Sequence, residues 1–439
     1  MKGLKPIREH SKEPKDDDNL EGLEDPVNGE ESDEDEDAGV ELSEVISERV
    51  QHFVKRFAKG FGSGVAVYSG IKVVTALMRN PFREGLPKIR ADVLAKDGLK
   101  FATFMGLFPS IYDLAVELLE QYRGKRDDWN SALAGGIAGL AMVVEDRTRR
   151  RIYCLFAIAR AIGAMISTLV KRGLLPSVPY SETALFCSCT SFLVYCTALQ
   201  PQYLFTGYYK SVLKWSRDYT DEKLKKLFRE HGDTFLTCAD VGLHDQNCTI
   251  HAAIDFAQSI PPFAKLYLPI HMAPVIFFKY KQFFKRPKQV LKTVVKNTFW
   301  STAFLATMVM VAKYAICLLR NLQHRPPPLR PWIPAAAGIL AGLGVLFEGT
   351  HRRRELSLFL IPHTLYAVYL WAKEAKIVRH IPNSSILLFA LALVPIMHAY
   401  EREPESLNLL LHSALKFFVG KRMSTVERKK RRTISEMSI

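Results

Sequence analysis

The first 45 residues lack an apolar core, so no cleavable secretory signal is expected, and they are too acidic for an Arg-rich mitochondrial presequence. Organelle targeting would then be internal. Cysteine is scarce and odd in number: there are seven, and Cys154, Cys187, Cys189, Cys196 and Cys317 fall in apolar stretches where a thiol acts as a small hydrophobe. That excludes a secreted disulfide scaffold. The chain also has no phosphate-binding Gly loop, no nucleophile elbow and no HExxH pair. His251 and Asp255 fall one residue short of an acyltransferase-type His-x4-Asp, and Asn247-Cys-Thr and Asn383-Ser-Ser read as chance sequons. We therefore expect no enzyme, no catalytic residue and no cofactor.

Charge is absent from long stretches, although the average hides this. The 439 residues carry 60 Lys+Arg, 45 Asp+Glu and 48% apolar side chains, at a mean hydropathy of zero. Those are the figures of a soluble protein of two or three domains. The acids, however, are segregated: residues 1–48 hold 18 acids and 5 bases, which leaves the remainder near +28. Residues 183–209 contain no Asp, Glu, Lys or Arg, and 381–400 is a second strong apolar run. Charge-free runs of 16 or 17 residues follow at 297–312, 331–347 and 356–372, with weaker candidates at 61–78, 101–120, 131–144, 152–170 and 260–279. Such lengths suit a hydrocarbon layer of roughly 30 Å at about 1.5 Å per helical residue. The expectation is about ten helices in a multi-pass membrane protein.

Sliding the chain on itself by 203 residues aligns ALAGGIAGLAMVVEDRTRRR (132–151) with AAAGILAGLGVLFEGTHRRR (335–354). Gly135 meets Gly338, Gly139 meets Gly342, Glu145 meets Glu348, and Pro179 and Pro201 meet Pro382 and Pro404 at the same offset. The fold class expected is all-α: an internally duplicated membrane bundle with about five helices per repeat. Its organisation reads as a disordered acidic tail (1–48), a first repeat (49–216), a connector with a Cys/His loop (217–249), a second repeat (250–420) and a basic tail (421–439). An odd number of spans per unit would invert the second copy. Bases occur in nearly every loop, so the positive-inside rule assigns no orientation. Within the connector, 210–231 has helical periodicity and fits either a membrane-surface helix or a solvated one. Arg428–Arg432 suit anionic lipid or a plain juxtamembrane anchor, and Ser32, Thr433 and Ser435 sit in kinase-type contexts.

Three groups of residues could carry chemistry. Gly135 and Gly139 beside Ala134, with Gly338 and Gly342 at the repeat offset, form small-residue faces that let helices approach, within one chain or at an oligomer seam. Arg160 interrupts an apolar run, and His363 stands 203 residues later. With Glu145 and Glu348 these residues either line a polar path or form structural pairs inside the bundle. In TCADVGLHDQNCTIH, Cys238, His244, Cys248 and His251 have the types and number of a tetrahedral zinc site, without the spacing of a standard finger. A redox-active or disulfide pair and a polar loop with incidental Cys and His are the alternatives.

Tyr112, Arg123, Asp127, Ala134, Gly135 and Gly139 follow one another at spacings that resemble the signature of the preprotein and amino acid transporter superfamily. That superfamily includes the mitochondrial Tim channel subunits and small peroxisomal membrane proteins. Pro109 stands where its pattern starts with a small residue, and Arg330 replaces the aspartate in the second copy. The duplication, the segment SIYDLAVELLEQYRGKRDDWNSALAGGIAGLAM and the Cys/His loop together resemble the transmembrane protein 135 family over most of 50–420. The resemblance implies a multi-pass protein of peroxisomes and mitochondria, linked to lipid handling and organelle dynamics. Expected partners are the lipid bilayer, proteins of that membrane and a second copy of the chain; nucleic acid is not among them. The expected function is a transport- or channel-like role in lipid or metabolite handling; the alternative is a non-transporting scaffold acting through partner proteins, and an intramembrane lipid enzyme comes third. A water-lined cavity between the halves would favour transport, and a solid Gly-packed interface the scaffold.

Overall fold

Long runs of helix formers, broken by Pro and Gly only at intervals, fold into helices throughout. The computed structural model describes residues 31–79, 96–278, 280–379 and 381–420, and among them there are fourteen α-helices, four 3-10 turns and no strand. Two compact units divide the chain, residues 1–52 and 53–439. In the first, residues 1–30 lie outside the described residues, and 31–52 are helical. The tail read as disordered over 1–48 is thus helix from Glu31 onward. Acids in the first turns of a helix complement its macrodipole, which supplies a local reason. The basic tail 421–439 also lies outside the described residues.

The helices are α1 (Glu31–Arg79), α2 (Lys96–Arg123), α3 (Asp128–Gly139), α4 (Arg147–Lys171), α5 (Ser181–Leu199), α6 (Thr206–Ser216) and α7 (Asp221–Phe228). They continue as α8 (Cys248–Phe278), α9 (Tyr280–Lys285), α10 (Pro287–Gln323), α11 (Trp332–Gly342), α12 (Thr350–Glu374), α13 (Ser384–Arg402) and α14 (Leu409–Phe418). Five of them, α2, α4, α5, α10 and α13, are long and apolar enough to cross a membrane. Leu387, Leu388 and Leu391 of α13 and Met165 and Ile166 of α4 are exposed, an arrangement suited to lipid. This is the make-up of an integral membrane protein with several spans.

The differences from the expected spans have local causes. The run 183–209 is not one helix: α5 stops at Leu199, because Pro201 cannot donate a backbone hydrogen bond and opens a 3-10 turn, Pro201–Tyr203, and α6 begins at Thr206. Pro404 ends α13 in the same way. The runs 131–144 and 331–347 each become a helix of 12 or 11 residues followed by a 3-10 turn, Leu140–Val144 or Leu343–Phe347, too short to span. The connector helix expected over 210–231 breaks at Arg217, whose φ is +62°, and resumes where Thr220 caps α7.

Within the second unit, α3 packs on α13 and α2, while α11 packs on α5 and α10. Helix α4 also lies against α13, and α12 lies against α5 and α4. One core gathers Phe104, Phe108, Tyr112, Met142, Ile396 and Met397; another joins α7, α10, α11 and the Cys/His loop through Leu227, Phe228, Ile316 and Ile333.

Candidate functional site

The Gly faces are packing surfaces. A Cβ built on Gly135 would meet the Met397 side chain at 2.5 Å, and one on Gly139 would meet Cα of Ala390 at 2.8 Å, both on α13. Ala134, beside Gly135 on α3, is fully buried. On α11, a Cβ at Gly338 would stand 2.5 Å from Cα of Ser191 and one at Gly342 2.8 Å from Cα of Cys187, both on α5. Backbone meets backbone there, and Ser191 Oγ donates to the Ala335 carbonyl across the contact at 2.8 Å.

The signature residues prepare the first face. Arg123 grips Asp127 with both guanidinium ends, at 2.8 and 2.9 Å, and also donates to Asn130 Oδ1. Asp127 caps α3 by accepting from the Asn130 amide at 3.2 Å. The guanidinium holds the Asp127 carboxyl below its ordinary value. Buried Tyr112 donates to Glu401 Oε1 at 3.2 Å on α13. Before α11 the capping position is Pro331, with no side-chain cap, next to Arg330.

The four residues of the candidate polar path sit in separate contact sets. Arg160 on α4 pairs with Glu355 on α12 at 2.9 Å, and Asn408 donates to the same carboxylate oxygen at 2.8 Å. His363 stacks on Tyr208, with ring centroids 4.3 Å apart, and meets Phe156, Phe205 and Phe359 edge-on. Glu145 and Glu348 are buried at helix corners, each facing an arginine four residues on, Arg149 at 3.8 Å and Arg352 at 2.9 Å. Burial pushes both carboxyls up, against the pull of those arginines. The next arginine in each corner folds back onto carbonyls: Arg150 onto Glu145 and Val143, Arg353 onto Glu348 and Leu346. An open groove of about 800 Å³ runs beside one corner, lined by Pro179, Tyr180, Glu182, Thr183, Leu346, Thr350 and Arg353.

The Cys/His loop leads to a different set of neighbours. Thr237 and Asp240 close a small turn through their side chains, and Gly242 adopts φ +70°, so the chain doubles back beside Cys238. Cys248 opens α8, and α10 brings Cys317 alongside. Sulfur-to-sulfur distances are 3.7 Å for Cys238–Cys248 and 4.0 Å for Cys238–Cys317, and His244 Nε2 lies 3.9 Å from the Cys317 sulfur. All four ligand atoms fall within 4.8 Å of one another. A hydrogen bond with Cys317, reinforced by the Arg320 guanidinium, pulls the Cys238 thiol down to about 5 against the effect of burial. Burial pushes the Cys248 thiol up.

His251 is beside this cluster rather than in it. Its ring stacks on His244 with centroids 4.2 Å apart, and its Nε2 faces Asp218 Oδ2 at 3.1 Å. Asp218 and Asp255 flank the buried Lys313, which reaches Asp255 at 2.8 Å, and Arg217 also donates to Asp255. Two cations occupy that carboxylate pair. Sequence reasoning missed Cys317, Glu355, Asn408 and Arg320. The available signal was Lys313, Cys317 and Arg320 at i, i+4 and i+7, a polar stripe that follows the charge-free run 297–312.

Fold and site define a multi-pass helical membrane bundle with a polar Cys/His corner. No family model and no solved structure matches the chain.

Proposed function

We propose that the chain is a duplicated multi-pass protein of the peroxisomal or mitochondrial membrane, acting as a non-transporting scaffold in lipid handling and organelle dynamics. The observation that carries this reading is the exchange of Gly faces: α3 buries its glycines on α13, and α11 buries its own on α5. If 49–216 and 250–420 are the two copies, each lends its short Gly helix to the long helix of the other. Several features 203 residues apart support the duplication. Helices α4 and α12 share their bounds at that offset, as do α5 and α13. Positive φ recurs at Gly173 and Lys376 and at Tyr180 and Asn383. The Glu145 and Glu348 corners repeat the same arginine contacts. Close Gly packing and the Arg160–Glu355 pair occupy much of the contact between the copies away from the groove at Glu182 and Arg353, which supports a closed bundle rather than a pore. The organelle rests on the resemblance to the transmembrane protein 135 family.

Two measurements test it. Density fractionation with carbonate extraction should recover carbonate-resistant protein with peroxisomal or mitochondrial markers; recovery in the secretory pathway overturns the location. Deleting 421–439, or 1–48, should leave membrane insertion intact and change organelle number or length. Unchanged organelles with both tails removed overturn the scaffold. A second reading, transport of lipid or metabolite, is favoured by the open groove at Glu182 and Arg353, where opposite charges flank Leu346 and Pro179.

A further inference from the structure

Three thiols and one imidazole converge where the connector loop meets the end of α10, and their distances separate the chemistries they can support. A disulfide needs sulfurs about 2.05 Å apart. A tetrahedral zinc ion with Zn–S bonds of about 2.3 Å sets its sulfurs about 3.8 Å apart. The observed 3.7 and 4.0 Å match that tetrahedron edge. The fourth donor is also prepared. His244 Nδ1 lies 2.8 Å from the Gln246 carbonyl, which can only accept, so Nδ1 carries the proton and Nε2 keeps its lone pair for the cluster.

The surroundings balance the charge of an occupied site. Arg320 is 1% exposed, and its guanidinium donates to the Cys238 sulfur with no carboxylate partner among the described residues. Three thiolates and a neutral imidazole on Zn²⁺ sum to −1, which the guanidinium cancels. Asn321 Nδ2 donates to the Cys248 sulfur at 3.5 Å, a further hydrogen bond to a ligand atom.

We propose that Cys238, His244, Cys248 and Cys317 bind one Zn²⁺ in a closed, structural Cys3His site that fastens the connector loop to α10. Soft sulfur donors in a tetrahedral set select zinc over hard cations such as Mg²⁺ or Ca²⁺. All four positions are filled by protein, so the ion organises the loop and has no vacancy for substrate. The site stands independently of the scaffold reading.

Full-length protein, purified in detergent without chelator from zinc-replete cells, tests this. Metal analysis should find about one zinc per chain, and X-ray absorption should give three sulfurs at about 2.3 Å and one nitrogen at about 2.0 Å. Cys317→Ser and Cys248→Ser should each lower zinc content at least about tenfold, whereas Cys154→Ser and His251→Ala should retain it. The His251 variant separates this ligand set from one built on the loop alone. The absorption spectrum of the wild type keeps the test valid should a cysteine variant misfold. Zinc-free wild type that takes up no added Zn²⁺, a metal shell without sulfur, or a Cys238–Cys248 disulfide in the unreduced protein would overturn the assignment.

Discussion

Arg160 and Glu355 stand 195 positions apart in sequence, yet their side chains meet at 2.9 Å between α4 and α12. Both are mostly shielded, and Asn408 donates to the same carboxylate oxygen. A charge at membrane depth is thereby neutralised inside the protein. Arg160→Leu or Glu355→Leu alone strands the other charge and should cost about 3 kcal/mol of stability. The double variant should recover much of that loss. Thermal unfolding in one detergent checks it, and an additive double variant would mean the pair is not coupled.

Both Gly faces should resist a methyl group. Gly338→Ala pushes a Cβ into Ser191 backbone and the Thr190 carbonyl, so α5 and α11 must separate. Gly135→Ala puts a Cβ 2.5 and 2.7 Å from Cγ and Cβ of Met397, and because that Cβ is fixed to its backbone, α3 and α13 must separate as well. Overpacking of this kind costs about 1–3 kcal/mol at either position. Melting temperatures of both variants in one detergent should fall below wild type, and an unchanged value would remove that glycine from the packing face.

The Asp127 cap carries a pH signature. Its carboxyl sits below its ordinary value because Arg123 pairs with it. A depressed carboxylate stabilises the fold above the unfolded-state value near 3.8, and that contribution is lost as pH falls through the folded-state value. Asp127→Asn should therefore be less stable than wild type at pH 7. The gap should narrow below about pH 4 as the wild type loses its pair. A gap that is constant from pH 7 to pH 3 would remove Asp127 from this role.

Much of the helical inventory was legible, since charge-free runs such as 297–312 and 381–400 need nothing but length and apolarity to announce α10 and α13. The short helices α3 and α11 were harder, because Gly and Ala read as apolar in a span although they serve close packing in a helix of 11 or 12 residues. Which helix receives each Gly face is a tertiary fact, set by Met397 and Ser191 far along the chain. The cysteine cluster was legible for Cys238, His244 and Cys248, which share one loop. Cys317 was hidden because a lone cysteine in an apolar helix looks like a small hydrophobe until the fold brings it to 4.0 Å from Cys238. His251, at metal-ligand spacing on the page, instead pairs with Asp218, which lies 33 residues earlier.

Flux through the reconstituted protein measures most directly whether the bundle is closed. Liposomes carrying the full-length chain and loaded with a small fluorescent anion or a short-chain fatty acid should leak no faster than protein-free liposomes, for wild type and Arg160→Leu alike. Release several-fold faster with wild type, abolished by Arg160→Leu in protein that remains folded, would contradict the closed bundle and make the chain a transporter.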